Sequence, residues 1–251
     1  MSSLAISLIV CGCIFGGAML GMLLRFLLPE HHLTSDTKEV VKLGSGLIGT
    51  MAALVLGLLV GSAKSAYDAQ KNEIIDLSAN VVMLDRTLAH FGPETKDIRE
   101  SLKHAAANLI ERLWGPQSQG GKPAPVIQQT GDKLYDQLHA LSPTTTAQHA
   151  SLSEASSIFS SMFRSRMLLF AQSGSSLSMP LLCVMTFWLA AVFTSFGLFA
   201  PRNTTVVATL LASAISVSGA VFLILEMDRP FTGTIQISST PIKNAIEQLG
   251  R

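Results

Sequence analysis

Four stretches of this chain are too long and too apolar to be kept in water. Lys, Arg, Asp and Glu are absent from residues 43–60, 167–201 and 203–225, and residues 4–28 are interrupted only by Arg25. A membrane-spanning helix needs about 20 mainly apolar residues, so each stretch holds one span. Arg25 falls within a turn of its span's end, where a long side chain can reach the headgroups. The first span has no basic leader and no small-x-small cleavage site, and it is read as a retained helix rather than a signal peptide. A soluble domain carries roughly 25% charged residues, whereas this chain carries 14%. Its charges are concentrated between the second and third spans.

That middle stretch, residues 64–176, has eleven basic and eleven acidic residues. The balance argues against nucleic acid as a partner. Tyr67, Ile74, Leu77, Val81, Leu84, Leu88 and Phe91 follow a heptad from Ile74 onward, so the second span is expected to run on as a long helix with an apolar seam. Gly92-Pro93 ends it, with Pro93 in the first turn of the next helix. That helix buries Ile98, Leu102, Ala105, Leu109 and Leu113. Residues 115–125, rich in Gly, Gln, Ser and Pro, form a loop. Two further helices follow. One turns Ile127, Leu134, Leu138 and Leu141 inward. The other begins near Ser142-Pro143, a cap-plus-Pro start, with Ala155, Ile158, Met162 and Phe163 on its apolar side. Arg164, Arg166 and the apolar run after them suit a helix approaching the membrane interface. Ser173 to Ser176 reads as a linker.

The fold class expected is all-α: a polytopic membrane protein with four transmembrane helices and an inserted helical bundle continuous with them. Residues 1–63 are the first transmembrane hairpin, 64–176 the bundle, 177–226 the second hairpin and 227–251 a docking tail. Within the tail, residues 234–238 alternate like a short strand, and Ile242, Ala245, Ile246 and Leu249 line one side of a helix starting at Thr240-Pro241. An even number of spans puts the termini and bundle on one side. Lys64, Lys71, Arg164, Arg166 and Arg229 flank the membrane there, against Arg25, Lys38, Lys42 and Arg202 on the other, which leans towards a cytoplasmic bundle and termini in a plasma or bacterial inner membrane.

Chemistry is sparse. No phosphate loop, nucleophile motif or metal-ligand spacing occurs, so the chain is expected to be no enzyme and to need no cofactor or metal. His31 and His32 lie on a polar turn. Cys11, Cys13 and Cys183 lie inside spans as small buried hydrophobes. The spans contain no carboxylate, histidine or lysine, which sets aside ion-coupled pumps. Small residues recur every fourth position in the second span, at Ser45, Gly49, Ala53, Gly57, Gly61 and Ser65. Gly12 and Gly16, Gly17 and Gly21, and Ala208, Ala212, Ser216 and Ala220 do likewise in other spans. Such stripes are either helix-packing seams or a pore wall. Leu47, Met51, Leu54 and Leu58 on the other face could form a hydrophobic constriction. Glu226, Asp228 and Arg229 either cap the last span and pair locally, or couple the tail to a pore.

Three motifs carry a resemblance. Tyr67-Asp68-x-Gln70-Lys71-x-Glu73, the run from Phe196 to Asn203 reading FGLFAPRN, and Met227-Asp228-Arg229-Pro230-Phe231 resemble the bestrophin-like family across nearly the whole chain. The resemblance implies a four-span helical protein and, by kinship with bestrophins, a pentameric anion channel. The acidic run that holds calcium after the last bestrophin span is represented here only by Glu226 and Asp228. Two functions follow: an oligomeric ion channel for anions with the second span near the pore, or a non-conducting scaffold or sensor whose bundle binds a partner protein.

Overall fold

The computed structural model describes residues 2–29, 34–115, 125–171, 179–201 and 203–250. His31, His32, Arg202, the Ser173 to Ser176 linker and residues 116–124 of the long loop lie outside the described residues, as does the side chain of Ile127. The fold is all-α, with no strand among the described residues. The helices are α1 (Ser3–Leu27), α2 (Ser35–Phe91), α3 (Lys96–Trp114), α4 (Pro125–His139), α5 (Thr146–Ala171), α6 (Met179–Phe199), α7 (Thr204–Met227) and α8 (Thr240–Gln248). Four of them, α1, α2, α6 and α7, are long and apolar enough to cross a membrane. The 57 residues of α2 far exceed one span, and the helix passes from one compact unit into the other. Residues 1–65 and 176–228 make the first unit, and residues 66–175 and 229–251 the second.

In the span unit, α1 packs on α6 and α7 around Val10, Ile14, Ala18, Met185, Ala214 and Val221. The helix ends are capped by side chains. The Ala5 amide donates to Ser2 Oγ, and the Val206 amide to Asn203 Oδ1 at 2.9 Å, satisfying amides that a helix start leaves without intrahelical partners. Arg25 Nη1 donates to the Ala200 carbonyl at 2.6 Å, tying the end of α1 to the turn after α6. Cys13 and Cys183 are exposed on the protomer and Cys11 half-buried, so none is the buried hydrophobe expected. Cys13 faces outward because the core-facing stripe of α1 runs through Val10, Ile14 and Ala18, and Cys11 sits at the edge of that core.

In the bundle unit, the heptad of α2 is buried from Ile74 to Phe91 against Ile98, Leu102, Leu109 and Leu113 of α3 and Leu134 and Leu138 of α4. Ala106 rather than Ala105 is the buried alanine of α3. Gly92 has φ +142°, a conformation that side chains disfavour, and it lets Pro93 open a 3₁₀ turn into α3. Helix α5 starts at Thr146, not at Ser142-Pro143. A reciprocal cap decides this: the Gln148 amide donates to Thr145 Oγ1 at 3.2 Å, and Gln148 Oε1 accepts from the Thr145 amide at 3.3 Å. Gln148 Nε2 also donates to the Phe91 carbonyl, so one side chain serves the ends of two helices.

Residues 234–238 form no strand, because no neighbouring strand offers them a ladder. The alternation instead records a folded-back loop with Ile237 buried and Ile235 at the surface. The Ile237 amide donates to the Pro230 carbonyl at 2.8 Å, and Trp114 Nε1 donates to the Ile237 carbonyl at 2.7 Å. Phe231 meets the Trp114 ring edge-on at 5.4 Å. Beyond this loop α8 buries Ile242 and Ala245 within the same unit. Asp85 fastens the end of the tail. Its carboxylate accepts Nε and Nη2 of Arg99 at 2.7 and 2.8 Å and the Gly250 amide at 3.2 Å. Burial pushes the Asp85 pKa up, but these hydrogen bonds and the Arg99 charge outweigh it and hold the carboxyl below its usual value.

Candidate pore-lining helix

The spans pack through two different kinds of small-residue contact. Helices α1 and α6 run side by side in the same direction, with backbones touching. A Cβ on Gly17 would stand 2.7 Å from the Ala190 carbonyl oxygen, one on Gly21 would collide with the Thr194 carbonyl, and one on Gly197 with the Ala18 carbonyl. Packing this close replaces the hydrophobic drive that lipid does not provide. Of the two glycine pairs in α1, only Gly17 and Gly21 take part. Gly12 and Gly16 face open space. Gly197 has Phe193 and Pro201 four positions to either side, and so gave no every-fourth spacing signal of its own.

The membrane half of α2 meets its own protomer differently. Its buried positions are Ser45, Ala52, Leu59 and Ala63, flanked by half-buried Ile48, Gly49, Val55 and Leu56. Ser45 Oγ donates to Ser195 Oγ on α6 at 2.6 Å, a polar clasp in an otherwise apolar seam. Only Ser45 and the edge of Gly49 belong to the stripe read from the sequence. Ala53, Gly57, Gly61 and Ser65 are exposed, and a Cβ on Gly49, Gly57 or Gly61 would touch nothing. The reason is geometric. At 3.6 residues per turn, every fourth position advances by about 40°, so a six-residue stripe winds over roughly 200° and cannot stay on one contact. Helix α7 shows the same offset: Ala208, Ala212 and Ser216 are exposed while Ala214 and Val221 are buried.

The leucine face of α2 is also bare, with Leu54 76% and Leu58 70% exposed, and Leu47 and Met51 exposed beside them. Of the most apolar 18-residue stretch in each span, 17% is buried in α2, against 33% in α1, 22% in α6 and 28% in α7. The least covered span is therefore also the one with the most glycines. The Thr50 hydroxyl donates back to the Leu47 carbonyl at 2.8 Å, so its polarity is absorbed by the helix itself. Lys42 and Lys64 bracket the uncharged run. At the far end of the second hairpin, Glu226 is buried in α7, and the Asp228 amide donates to the Ile224 carbonyl at 3.1 Å to close that helix. The Arg229 carbonyl accepts the amides of Thr232 and Gly233 where the tail turns. No group of three or more His, Cys, Asp or Glu able to hold a metal ion occurs among the described residues.

A family model described as a bestrophin-like domain matches residues 12–242. No curated protein and no solved structure matches the chain.

Proposed function

Because the chain belongs to the bestrophin-like family, we propose that copies of it form a homo-oligomeric ion channel for anions, with α2 of each copy beside the conduction path. Family kinship points to five copies in the ring. The observation that carries this reading is the bare, uncharged face of α2 lying opposite the seam that the helix makes with its own protomer. In a closed ring, a helix near the axis has one side on its own chain, one side towards the axis, and two flanks towards neighbouring copies. Taking Ala52 as the centre of the seam and about 100° per residue, Leu54 and Gly61 fall within about 20° of the opposite direction, and Gly57 within about 40°. Leu58 and Ala53 lie about 60–80° off that direction, on the two flanks. Leu43 and Leu47 also face within about 40° of the axis, and Leu54, the leucine nearest the middle of the uncharged run, is the candidate dewetting gate, with Gly57 and Gly61 lining wider parts of the path. Lys42 and Lys64 at the two ends of the run favour anions over cations at the mouths. Glu226, Asp228 and Arg229, where the chain leaves α7 and enters the tail, are the proposed link between tail and spans.

The test is flux from liposomes holding the purified oligomer. Wild-type protein should release chloride in preference to potassium, and Leu54→Ala should raise the leak. An intact oligomer that passes no anion or cation would overturn the channel reading. The bundle would then be left as a scaffold for a partner protein.

A further inference from the structure

From residue 41 to residue 50, Ser45 is the only position of α2 that is buried. Little else interlocks there. A Cβ on Gly44, Gly46 or Gly49 would meet nothing within 4 Å, so these turns slot into no neighbour. What Ser45 meets is the Ser195 hydroxyl of α6, at 2.6 Å. Helix α6 is itself a fixed reference, because Thr194 and Gly197 lie against the backbone of α1. Thr194 and Ser195 are consecutive, so one turn of α6 meets α1 on one side and α2 on the other. We infer that Ser195 is a positioning residue: through Ser45 it fixes the rotation and height of the membrane half of α2, and so turns Leu54 towards the conduction path. The Leu54 step rests on the channel reading. The alignment does not.

Three features support the assignment. First, one alignment alone pairs the two hydroxyls. The later seam positions of α2 are Gly49, Ala52, Leu56, Leu59 and Ala63, and one turn to either side of Ser195 stand Ala191, Val192, Leu198 and Phe199. None of these side chains can take over the bond. Turning α2 by one residue swings Ser45 through about 100°, and sliding it by one turn moves it about 5.4 Å, and either change breaks the contact. Second, a single polar pair set in an apolar helix seam is an established means of specifying register. Third, the strength suits a device that aligns without locking. A hydrogen bond between membrane helices favours the bonded alignment by about three- to twentyfold. The gain is no larger because a serine that loses its partner can bond a carbonyl of its own helix.

Alignment and consequence are read separately. In full-length protein with Cys11, Cys13 and Cys183 replaced by alanine, Ser45→Cys together with Ser195→Cys should form a disulfide within one protomer under copper phenanthroline. Mass spectrometry detects it as the loss of two hydrogens, with loss of maleimide reactivity. Gly44→Cys or Gly46→Cys with Ser195→Cys, each about 100° away around α2, should not close. In liposomes, Ser195→Ala should shrink the rise in chloride leak caused by Leu54→Ala by about threefold or more. Ser195→Thr, which keeps the hydroxyl, should preserve that rise. The effects of Ser195→Ala and Leu54→Ala on melting temperature should simply add, which separates positioning from a general loss of packing. Should Ser195→Ala fold poorly, Ser45→Ala removes the same bond from the other helix. A disulfide that fails at Ser45, or forms equally well from Gly44 or Gly46, overturns the alignment. A Leu54→Ala effect of unchanged size in a folded Ser195→Ala protein overturns the positioning role. If wild-type protein passes no ion, the channel reading falls together with the Leu54 step, and the disulfide pattern alone decides the alignment.

Discussion

Gly197→Ala is the substitution for which the structure sets the clearest magnitude. The new methyl group would collide with the Ala18 carbonyl and stand 3.1 Å from the Met22 amide nitrogen, both backbone atoms of α1. A side chain could rotate away, but helical backbone cannot. Helices α1 and α6 must therefore separate by roughly 1.5–2 Å to restore an ordinary contact of 3.5–4 Å. Gly17 and Gly21 touch the same partner, so the separation loosens their contacts as well. Overpacking in a well-filled interior costs about 1–3 kcal/mol. At about 2–4 °C per kcal/mol for a chain of this size, the melting temperature should fall by about 2–12 °C. Gly57→Ala is the matched control, because the same methyl group there meets nothing within 4 Å. Both proteins are heated in detergent, and the surviving oligomer is quantified by fluorescence-detected gel filtration. A Gly197→Ala protein that melts with wild type refutes the backbone contact. A Gly57→Ala oligomer that comes apart while its protomers stay folded would move the glycine stripe from the path to the seam between copies.

Two further outcomes follow from the bundle and from the flanking charges. Asp85→Asn should destabilise the bundle at neutral pH by about 1.5–3 kcal/mol, the usual worth of hydrogen bonds to a charged group. Because the folded carboxyl titrates below its ordinary value, this advantage of wild type is present in full above about pH 4 and is lost as pH falls through the folded pKa. Denaturation curves at pH 7 and pH 3 check it, and an unchanged wild-type advantage at pH 3 speaks against the linkage. For topology, a membrane-impermeant thiol reagent added outside should label a cysteine placed at His32 and spare one at Gly120; the reverse pattern would put the bundle outside the cell.

The bundle was legible because a soluble helix has contrast along it. Between Ile74 and Phe91 the apolar positions alternate with Asp76 and Arg86, both exposed, and only one face can be buried in water; Asp85 is the exception, a buried carboxylate paired with Arg99. Local chemistry was harder to rank. Ser142-Pro143 and Thr145-x-x-Gln148 both spell a helix start, and the second prevails because Gln148 makes hydrogen bonds at both ends of its amide. The tail alternation at residues 234–238 was not a strand and not a full burial pattern: Ile237 is buried and bonds Trp114 and Pro230, while Ile235 is exposed. In the spans that contrast disappears. Lipid tails are as apolar as leucine, so hydropathy says where a span lies and nothing about which side meets protein. Spacing of small residues is then the remaining signal, and it selected Gly17 and Gly21 and the idle Gly12 and Gly16 alike.

For α2, one fact missing from the sequence fixes all the others: the direction of its own seam. Its faces are related by about 100° per residue, so misplacing the seam by one residue rotates every assignment by that amount. Had the stripe from Gly49 to Gly61 been the seam, Val55 would have pointed to the axis, with Leu58 about 60° and Leu54 about 100° away from it. With the seam on Ser45, Ala52, Leu59 and Ala63, Leu54 comes within about 20° of the axis while Leu58 stays about 60° off it, on a flank. The two arrangements predict different single-site responses in the same liposomes. On the Ala52-centred arrangement, Leu54→Ala widens the constriction and raises chloride leak. Leu58→Ala then removes bulk from a contact between copies, so it lowers oligomer stability with little change in flux per surviving oligomer. A leak raised by Leu58→Ala and untouched by Leu54→Ala would mean that α2 is turned by about a quarter-turn in the ring, with neighbouring copies and not its own chain setting its direction.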